Sequence, residues 1–295
     1  MIEHCDSPSG ARAWCESVRA DGMSLGFVAT MGALHIGHMA LIERACAEND
    51  RVCASIFVNP LQFNKAKDLE DYPRQFESDR AKLEALGCAM VFTGTLPQFF
   101  PELVGPDGTF GDVELRDPGP GALGLEGEFR LTHLAGVATI VRALFQVAQP
   151  TRAYFGQKDF QQCLVVSHVA DELGGEPEVV VCPTVREESG LALSSRNLLL
   201  TEEARDQALA IPRALHAAKA AWHEGVRTGA DLERIMAGQL DGQGLDVEYA
   251  EVRDPRQWTL EQPNGELAHG VALIAANAGG VRLIDNLVLS ADGSA

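Results

Sequence analysis

Apolar residues follow two patterns along residues 1–183. Uninterrupted apolar runs, such as residues 52–58, are typical of parallel strands that are buried on both faces. Between these runs, apolar residues recur at helical spacing, most clearly over His133–Ala148. Strands are predicted at residues 25–29, 52–58, 88–93, 113–115, 153–155 and 179–182, and helices at residues 11–20, from Gly37 onward, and at residues 72–86, 133–148 and 160–173. This alternation predicts an α/β fold with a Rossmann-like doubly wound parallel sheet.

The pattern changes after residue 183. Thr201 is placed to cap a long helix, and Glu202 and Glu203 in its first turn favour the helix dipole. A second helix is predicted at residues 230–240, followed by strands at residues 246–252, 271–276 and 282–289. We therefore predict two domains, a Rossmann-like domain at residues 1–183 and a smaller α+β domain at residues 184–295.

The composition is that of an ordinary globular protein. The chain has 295 residues, of which 46% are hydrophobic and 22% are charged. It has no apolar run long enough to span a membrane and no secretory leader, so we expect a cytoplasmic protein with no membrane partner. The net charge of −18 repels nucleic acid, which makes a nucleic-acid partner unexpected.

Seven cysteines are scattered along the chain without a CxxC pair. Cys53, Cys88, Cys163 and Cys182 lie in apolar strand or helix segments, which favours buried, reduced thiols. Apart from the pair discussed next, no Cys or His residues have a ligand-like spacing in a suitable setting. A structural zinc site is therefore not expected.

The first long predicted strand breaks at a glycine-containing turn, and a helix begins near Gly37. A strand, a turn and a helix in this order are the arrangement with which α/β sheets bind phosphate. His35 and His38 lie on either side of Gly37, where imidazoles and free backbone N–H groups could bind an anion together. A surface turn with two incidental histidines remains the alternative.

Further polar residues follow other predicted strands or begin predicted helices. They are Asn59 and Gln62, Arg130 and His133, Gly156 to Asp159, Gln161 and Gln162, and a donor-rich loop at residues 185–197. Neutral amides can hold a hydroxyl and a carboxylate, and basic side chains can pair with phosphate oxygens. Taken singly, each group could be a cap, a turn or a solvated charge. Their joint occurrence at strand ends and helix starts favours a binding site.

Eight motifs carry a resemblance to a known family. They are TMGALHIGH, SIFVNPLQF, DLEDYPR, LEGEFRLTHLAGVATIV, AYFGQKDFQQ, REESGLALSSRN, YAEVRD and RLIDN. HxGH in such a turn is typical of the nucleotidyltransferase superfamily, which activates acids with ATP. Together, from Thr30 to Asn286, the motifs resemble the pantoate–β-alanine ligase family. The resemblance implies a homodimer whose second domain is a lid. It also implies two steps: ATP and pantoate form pantoyl adenylate and pyrophosphate, and β-alanine then gives pantothenate and AMP.

The resemblance also implies roles for individual residues. The catalytic residues would be His38, His35, Lys158 and Arg196. The ATP site would comprise Met31, Gly32, Ala33, Leu34, His35, Ile36, Gly37, His38, Gly156, Gln157, Lys158, Asp159, Val185, Leu193, Ser194, Ser195 and Arg196. Pantoate and β-alanine would be bound by Gln62, Gln162, Asn59, Arg130, His133 and Tyr72. The protein alone would supply no metal ligand, and Mg²⁺ would be held by the ATP phosphates.

The chain departs from the usual family pattern at several positions. Alanine replaces proline at Ala29, glutamine replaces glutamate at Gln157, serine replaces aspartate at Ser189, and leucines replace proline and phenylalanine at Leu131 and Leu134. The changes at 29 and 189 are expected to alter loop stiffness. The glutamine removes a negative charge beside Lys158, which should tune ATP binding. The two leucines flank an expected substrate wall and could alter which acid fits.

Several rival functions fit the sequence less well. A tRNA synthetase shares HxGH and a serine-rich loop, but the net charge of −18 and the lack of an anticodon domain argue against it. In a transferase that keeps the nucleotide in its product, Gln62 and Gln162 would have no acid to hold. A non-catalytic paralogue would leave the intact histidines and basic residues unexplained. A paralogue that couples a related hydroxy acid to another small amine remains the alternative.

The serine-rich loop is expected to act as a lid. In an acidic protein without nucleotide, little would hold Ser194 to Arg196 in place, so we expect a mobile loop. Gly190 supplies backbone freedom for a hinge. ATP and Mg²⁺ should order this loop over the triphosphate and exclude water.

Overall fold

A computed structural model describes residues 1–64 and 66–290 of the chain. The chain forms two compact units, and the first consists of Met1–Ala122, Glu126–Gly156 and Gln161–Cys182. The second consists of Leu123–Leu125, Gln157–Phe160 and the residues from Pro183 onward. Two short segments from within residues 1–183 thus belong to the second unit. The assignment of a lid role to the second unit stays a prediction.

The first unit contains a six-stranded parallel sheet, which confirms the predicted fold class. Its strands are β1 (Glu3–Cys5), β2 (Leu25–Thr30), β3 (Arg51–Ile56), β4 (Met90–Phe92), β5 (Arg152–Gly156) and β6 (Glu178–Cys182), in the spatial order β1-β4-β3-β2-β5-β6. The helices are α1 (Pro8–Ala20), α2 (Ile36–Glu48), α3 (Ala66–Glu70), α4 (Phe76–Ala85), α5 (Leu96–Phe99), α6 (Glu126–Phe129), α7 (His133–Ala148) and α8 (Phe160–Glu172).

Different helices cover the two faces of this sheet, because successive side chains of a strand point to opposite faces. Phe27 and Cys53 belong to a core cluster with α1, α7 and α8. Val28 and Ala54, one residue further along β2 and β3, belong to another cluster with α2 and α4. Both faces of β2 and β3 are therefore buried, which explains why these two strands are mostly apolar.

The strand order reverses beside β2, with β3 on one side of it and β5 on the other. In open α/β sheets, ligands bind outside the carboxyl ends of the strands at such a point. The segments after β2, β3 and β5 are therefore where the topology favours a site. Within the first unit these segments carry His35 and His38, Asn59 and Gln62, and Gln162.

Up to residue 290, the second unit contains a three-stranded antiparallel sheet and three α-helices. The strands are β7 (Asp246–Arg253), β8 (Gly270–Ala278) and β9 (Val281–Leu289), in that order. The helices are α9 (Glu202–Ala208), α10 (Ala210–His223) and α11 (Gly229–Leu240). Trp222, Met236 and Ile274 are buried in its core, so the unit has the α+β character that the sequence predicts.

Several elements differ from the sequence prediction. No strand forms at residues 113–115, where the backbone N–H of Arg116 donates to Thr139 Oγ1 instead. The helix expected from Tyr72 begins at Phe76, because Pro73 disfavours a helical conformation at Tyr72. The long helix expected after Thr201 ends at Ala208 and restarts at Ala210, because Pro212 has no N–H to donate to the carbonyl of Ala208.

The three-residue strand β1 is not predicted from the sequence, because a run this short has no readable period. Among residues 1–64 and 66–290, no helix has the length and the apolar character needed to cross a membrane.

Candidate active site

The turn after β2 brings the two histidines together at the start of α2. His35 is the N-cap residue, and its Nδ1 accepts from the N–H of Gly37 at 3.1 Å. His38 Nδ1 accepts from the N–H of His35 at 3.3 Å. The two ring centroids are 4.1 Å apart. The histidines therefore form a reciprocal capping box, in which each ring satisfies a backbone donor of the helix start.

These bonds also fix which ring nitrogen can donate. A neutral imidazole that accepts at Nδ1 carries its hydrogen on Nε2, so Nε2 of His35 and His38 is a donor. Both rings stand at the positive end of a 13-residue helix. Side-chain donors at a helix N-terminus suit a phosphate or another anion. The histidines are thus structural caps and potential anion ligands at once.

Asp79 and Lys82 of α4 support this turn and were missed by the sequence analysis. The buried Asp79 carboxylate accepts from the N–H of Ala33 at 2.7 Å and of Leu34 at 2.9 Å. Lys82 Nζ donates to the carbonyl of Leu34 at 2.7 Å and lies 3.6 Å from Asp79 Oδ1. Ala33 has a φ of +51°, an unfavourable value that these bonds hold in place.

The amides after β3 form a second group. Gln62 donates from Nε2 to Met31 Sδ, 2.8 Å away, so it contacts the turn after β2. Asn59 is only 1% exposed. Its Nδ2 donates to Gln62 Oε1 at 3.2 Å and to the carbonyl of Gly136 at 3.1 Å, and its Oδ1 accepts from the N–H of Leu61. Asn59 therefore holds Gln62 in position.

His133 and Tyr72 contact the same segment, whereas Arg130 pairs with Glu126. His133 is buried at the start of α7, with Nδ1 3.1 Å from the carbonyl oxygen of Gln62. Arg130 is 3.5 Å from the carboxylate of Glu126. The Tyr72 ring packs edge-on against Phe63, with 5.8 Å between centroids. His133 thus supports the Gln62 backbone.

The two glutamines of α8 have different environments. Gln161 is buried, donates to the carbonyl of Gly121 at 3.0 Å and accepts from the N–H of Glu126 at 2.8 Å. Gln162 is half-buried in the same helical turn. Gln161 thus anchors the segment before α7, which leaves Gln162 as the better candidate for a ligand contact.

A cavity of about 490 Å³ opens beside the turn after β2. Its lining is mostly apolar and comes from the segments after β2, β3 and β4 and from residues 69–79. Met31, Gly32 and Asp79 take part in the lining. The turn that carries the histidines therefore borders open space in the first unit.

The leucines expected at a substrate wall lie in unlike environments. Leu131 is 81% exposed, whereas Leu134 is buried in the core cluster with α7. Leu134 therefore packs inside the first unit, and the expectation that the two leucines flank a substrate wall stays a prediction.

In the second unit, the segment after β5 is tightly held. Gln157 is buried, and its Nε2 donates to Asn286 Oδ1 at 3.2 Å. Lys158 Nζ lies 3.4 Å from Asp159 Oδ1, and the Lys158 side chain is 22% exposed. The glutamine side chain thus contacts Asn286 of β9, which the sequence analysis did not foresee.

The loop at residues 185–197 has more anchors than the sequence suggested. Arg186 makes a bidentate ion pair with Asp285, at 2.7 and 3.0 Å, and also donates to the carbonyl of Gly190. Glu187 accepts from Arg205 at 2.6 Å and from Asn197 at 2.8 Å. The expectation that little holds this loop is therefore wrong, because its own charged residues pair with the rest of the second unit.

Ser194, Ser195 and Arg196 lie at the end of this loop. Ser194 Oγ accepts from the N–H of Arg196 at 3.2 Å and caps the 3₁₀ helix Ser195–Leu199. Arg196 also donates to the carbonyl of Arg282 at 3.2 Å. Ser195 and Arg196 are exposed, while Val185 and Ser194 are half-buried and Leu193 has the same intermediate exposure. The serines and the arginine are thus accessible within the second unit.

Burial and ion pairing have opposite effects on the pKa of the Asp285 carboxyl. Burial raises the pKa of Asp285 above its ordinary value, and the ion pair with Arg186 offsets part of that rise. Arg186 therefore favours the charged form of the Asp285 carboxyl.

Cys53, Cys88, Cys163 and Cys182 are free and buried, as predicted. Burial raises the pKa of Cys88 to about 12, which keeps this thiol protonated and unreactive. Among residues 1–64 and 66–290, no three His, Cys, Asp or Glu residues are grouped so that they could hold a metal ion.

Comparison with known proteins identifies the family of this chain. The family model described as pantoate-beta-alanine ligase matches residues 3–288. The pantothenate synthetase of Gluconobacter oxydans is 45% identical over 267 residues, which is 90% of this chain and 94% of that protein. The crystal structure of pantothenate synthetase from Thermus thermophilus has 39% identity and a TM-score of 0.85, over 98% of this chain and 99% of that one.

A second solved structure contains ligands. It is the pantoate-beta-alanine ligase of Francisella tularensis complexed with beta-gamma ATP and beta-alanine. Its identity to this chain is 31% and its TM-score 0.75, over 98% of each chain. The chain belongs to the pantoate–β-alanine ligase family, whose members are enzymes that form an amide bond.

Proposed function

We propose that this chain joins pantoate to β-alanine through a pantoyl adenylate. In the first step, a carboxylate oxygen of pantoate bonds to the α-phosphorus of ATP, and the bond from that phosphorus to pyrophosphate breaks. In the second step, the amine nitrogen of β-alanine bonds to the acyl carbon and loses a proton, and the acyl–oxygen bond breaks to release AMP. The observation that carries the proposal is the His35–His38 pair at the start of α2.

Within the first unit, the histidines and the amides are assigned to different parts of the reaction. Attack of a carboxylate at phosphorus needs charge neutralisation and in-line positioning more than acid–base catalysis. We assign His35 and His38 to the phosphates, through the Nε2 hydrogens and the helix start. The backbone from Met31 to Leu34 is assigned to the nucleotide. Gln62, held by Asn59 and His133, is assigned to the acid together with Gln162.

Within the second unit, the assignments rest on the motifs that the chain shares with its family. Lys158, Ser194, Ser195 and Arg196 are assigned to the phosphates. Lysine and arginine supply permanent positive charge there, and serine hydroxyls add neutral donors. The lid role of the second unit stays a proposal. The roles of Arg130 and Tyr72 of the first unit in binding the acid and the amine are also proposals. The same holds for the homodimer and for the cytoplasmic location.

The residues of the chain fit a Mg²⁺ ion that is held through ATP. Mg²⁺ prefers oxygen ligands, which the phosphates of ATP and water would supply. When bound, Mg²⁺ supplies neutralisation of the triphosphate charge. Lys158 and Arg196 are assigned to add to that neutralisation from the protein.

The proposal is tested by measuring pyrophosphate release with a panel of hydroxy acids, with and without small amines. We expect ATP-dependent pyrophosphate with pantoate, and pantothenate and AMP when β-alanine is added. ADP and phosphate as products would contradict the proposal. Faster release with a different hydroxy acid would favour the alternative, a paralogue with another acid and amine. The exposed Leu131 is the departure from the family pattern that bears most on that choice.

A further inference from the structure

Asn286 of β9 makes three hydrogen bonds to two consecutive residues that follow β5. Its Nδ2 donates to the carbonyls of Gln157 at 2.8 Å and Lys158 at 2.9 Å, and its Oδ1 accepts from Gln157 Nε2 at 3.2 Å. Asn286 is 2% exposed. All of these residues belong to the second unit. The side-chain amide of Asn286 therefore forms hydrogen bonds to Gln157 and Lys158 through both its nitrogen and its oxygen.

Asn286 is itself fixed by the neighbouring ion pair. Its N–H donates to Asp285 Oδ1 at 2.8 Å, and its carbonyl accepts from Arg186 at 3.2 Å. Asp285 in turn makes the bidentate pair with Arg186. The backbone of Asn286 is thus held on both sides, so its side chain is a rigid support for the segment it contacts.

These contacts restrain the backbone beneath Lys158 without restraining its ammonium group. The carbonyls of Gln157 and Lys158 share one donor group, which sets the orientation of the backbone at Lys158. The Lys158 side chain remains partly exposed. A rigid backbone under a flexible four-carbon side chain lowers the entropy lost when the ammonium pairs with an anion.

We propose that Asn286, paired with Gln157, is a positioning residue for Lys158. The inference rests on the proposed role of Lys158 toward the phosphates of ATP. It also explains the glutamine at position 157, because its amide hydrogen can donate to Asn286 Oδ1. A glutamate carboxylate would present an acceptor to that oxygen. The glutamine therefore acts through the backbone support of Lys158.

The test measures the Kd of Mg-ATP by calorimetry, which needs no turnover. Asn286→Ala should raise the Kd about tenfold in the parent chain, because the backbone at Lys158 loses its fixed orientation. In a Lys158→Ala background, the same change should raise the Kd by less than about twofold, since there is no ammonium left to position. Gln157→Met, a milder change that removes one of the three bonds, should show the same pattern with a smaller effect.

Controls separate positioning from general loss of structure. Thr228→Ala removes the N-cap hydrogen bond of α11 in the same unit and should lower the melting temperature while leaving the Kd unchanged. Asn286→Ala should lower the melting temperature equally in both backgrounds. Equal Kd increases with and without Lys158, or no effect of Lys158→Ala on the Kd, would overturn the inference. ATP binding by a chain that makes no pantothenate would instead overturn the proposed reaction alone.

Discussion

Replacing His38 with alanine is expected to lower the rate of pyrophosphate release by about 10²-fold or more while the chain stays folded. The reason is that His38 Nε2 is a fixed donor at the positive end of α2, where charge develops on the phosphates in our proposal. The change also removes the acceptor for the His35 N–H. Loss of such a cap costs about 1 kcal/mol, which a folded domain tolerates.

A second substitution separates the two roles of this side chain. His38→Glu places at this cap position a residue type that commonly accepts from the N-cap N–H, but glutamate has no hydrogen to donate. We expect its unfolding free energy to return toward that of the parent chain and its rate to stay at least as low as that of the alanine variant. Near-normal pyrophosphate release by a folded His38→Ala chain would refute the assignment.

Replacing Asp79 with alanine is expected to lower the free energy of unfolding by about 3 kcal/mol. The change would leave the buried N–H groups of Ala33 and Leu34 without an acceptor, and Lys82 would lose its carboxylate partner while keeping its bond to the Leu34 carbonyl. The turn before His35 would then lose its main support, so the rate should fall as well. Denaturant unfolding and pyrophosphate release measured on the same samples would check both effects.

Two variants of α4 serve as controls for Asp79. Asp79→Asn keeps one acceptor oxygen and should be destabilised by less than the alanine variant. Glu77→Ala removes an exposed carboxylate of the same helix that lies 3.8 Å from Arg80, and it should change stability by less than about 0.5 kcal/mol. A similar loss of stability in Asp79→Ala and Glu77→Ala would contradict the supporting role of Asp79.

The sequence predicted the fold wherever the hydrophobic period was long and uninterrupted. His133–Ala148 begins and ends where its apolar spacing indicated, because most of its side chains are buried in one core cluster. The hydrophobic pattern predicted the wrong secondary structure where local backbone effects determine it. Pro212 interrupts a helix that its apolar residues would continue, and residues 113–115 have an alternating pattern but form no strand.

The candidate site was predicted as far as its residues belong to local motifs. The histidine pair and the amide of Gln62 were found because each lies in a short segment after a strand. Asp79 and Asn286 were missed because each acts on backbone groups more than 40 residues away in sequence (46 from Asp79 to Ala33, and 128 from Asn286 to Lys158). In the sequence, Asp79 resembles a solvated charge on an amphipathic helix. The contact of Asp79 with the turn after β2 is visible only in the folded structure.

An isotope experiment tests the central claim, which is that the acid is activated by attack of its carboxylate on the α-phosphorus. Pantoate labelled with ¹⁸O in both carboxylate oxygens would be converted with ATP and β-alanine, and the AMP analysed by mass spectrometry. The oxygen that bonds to phosphorus stays with AMP when the amine attacks the acyl carbon. We therefore predict one ¹⁸O atom in each AMP formed. Unlabelled AMP, or label found in phosphate or pyrophosphate, would contradict an acyl adenylate.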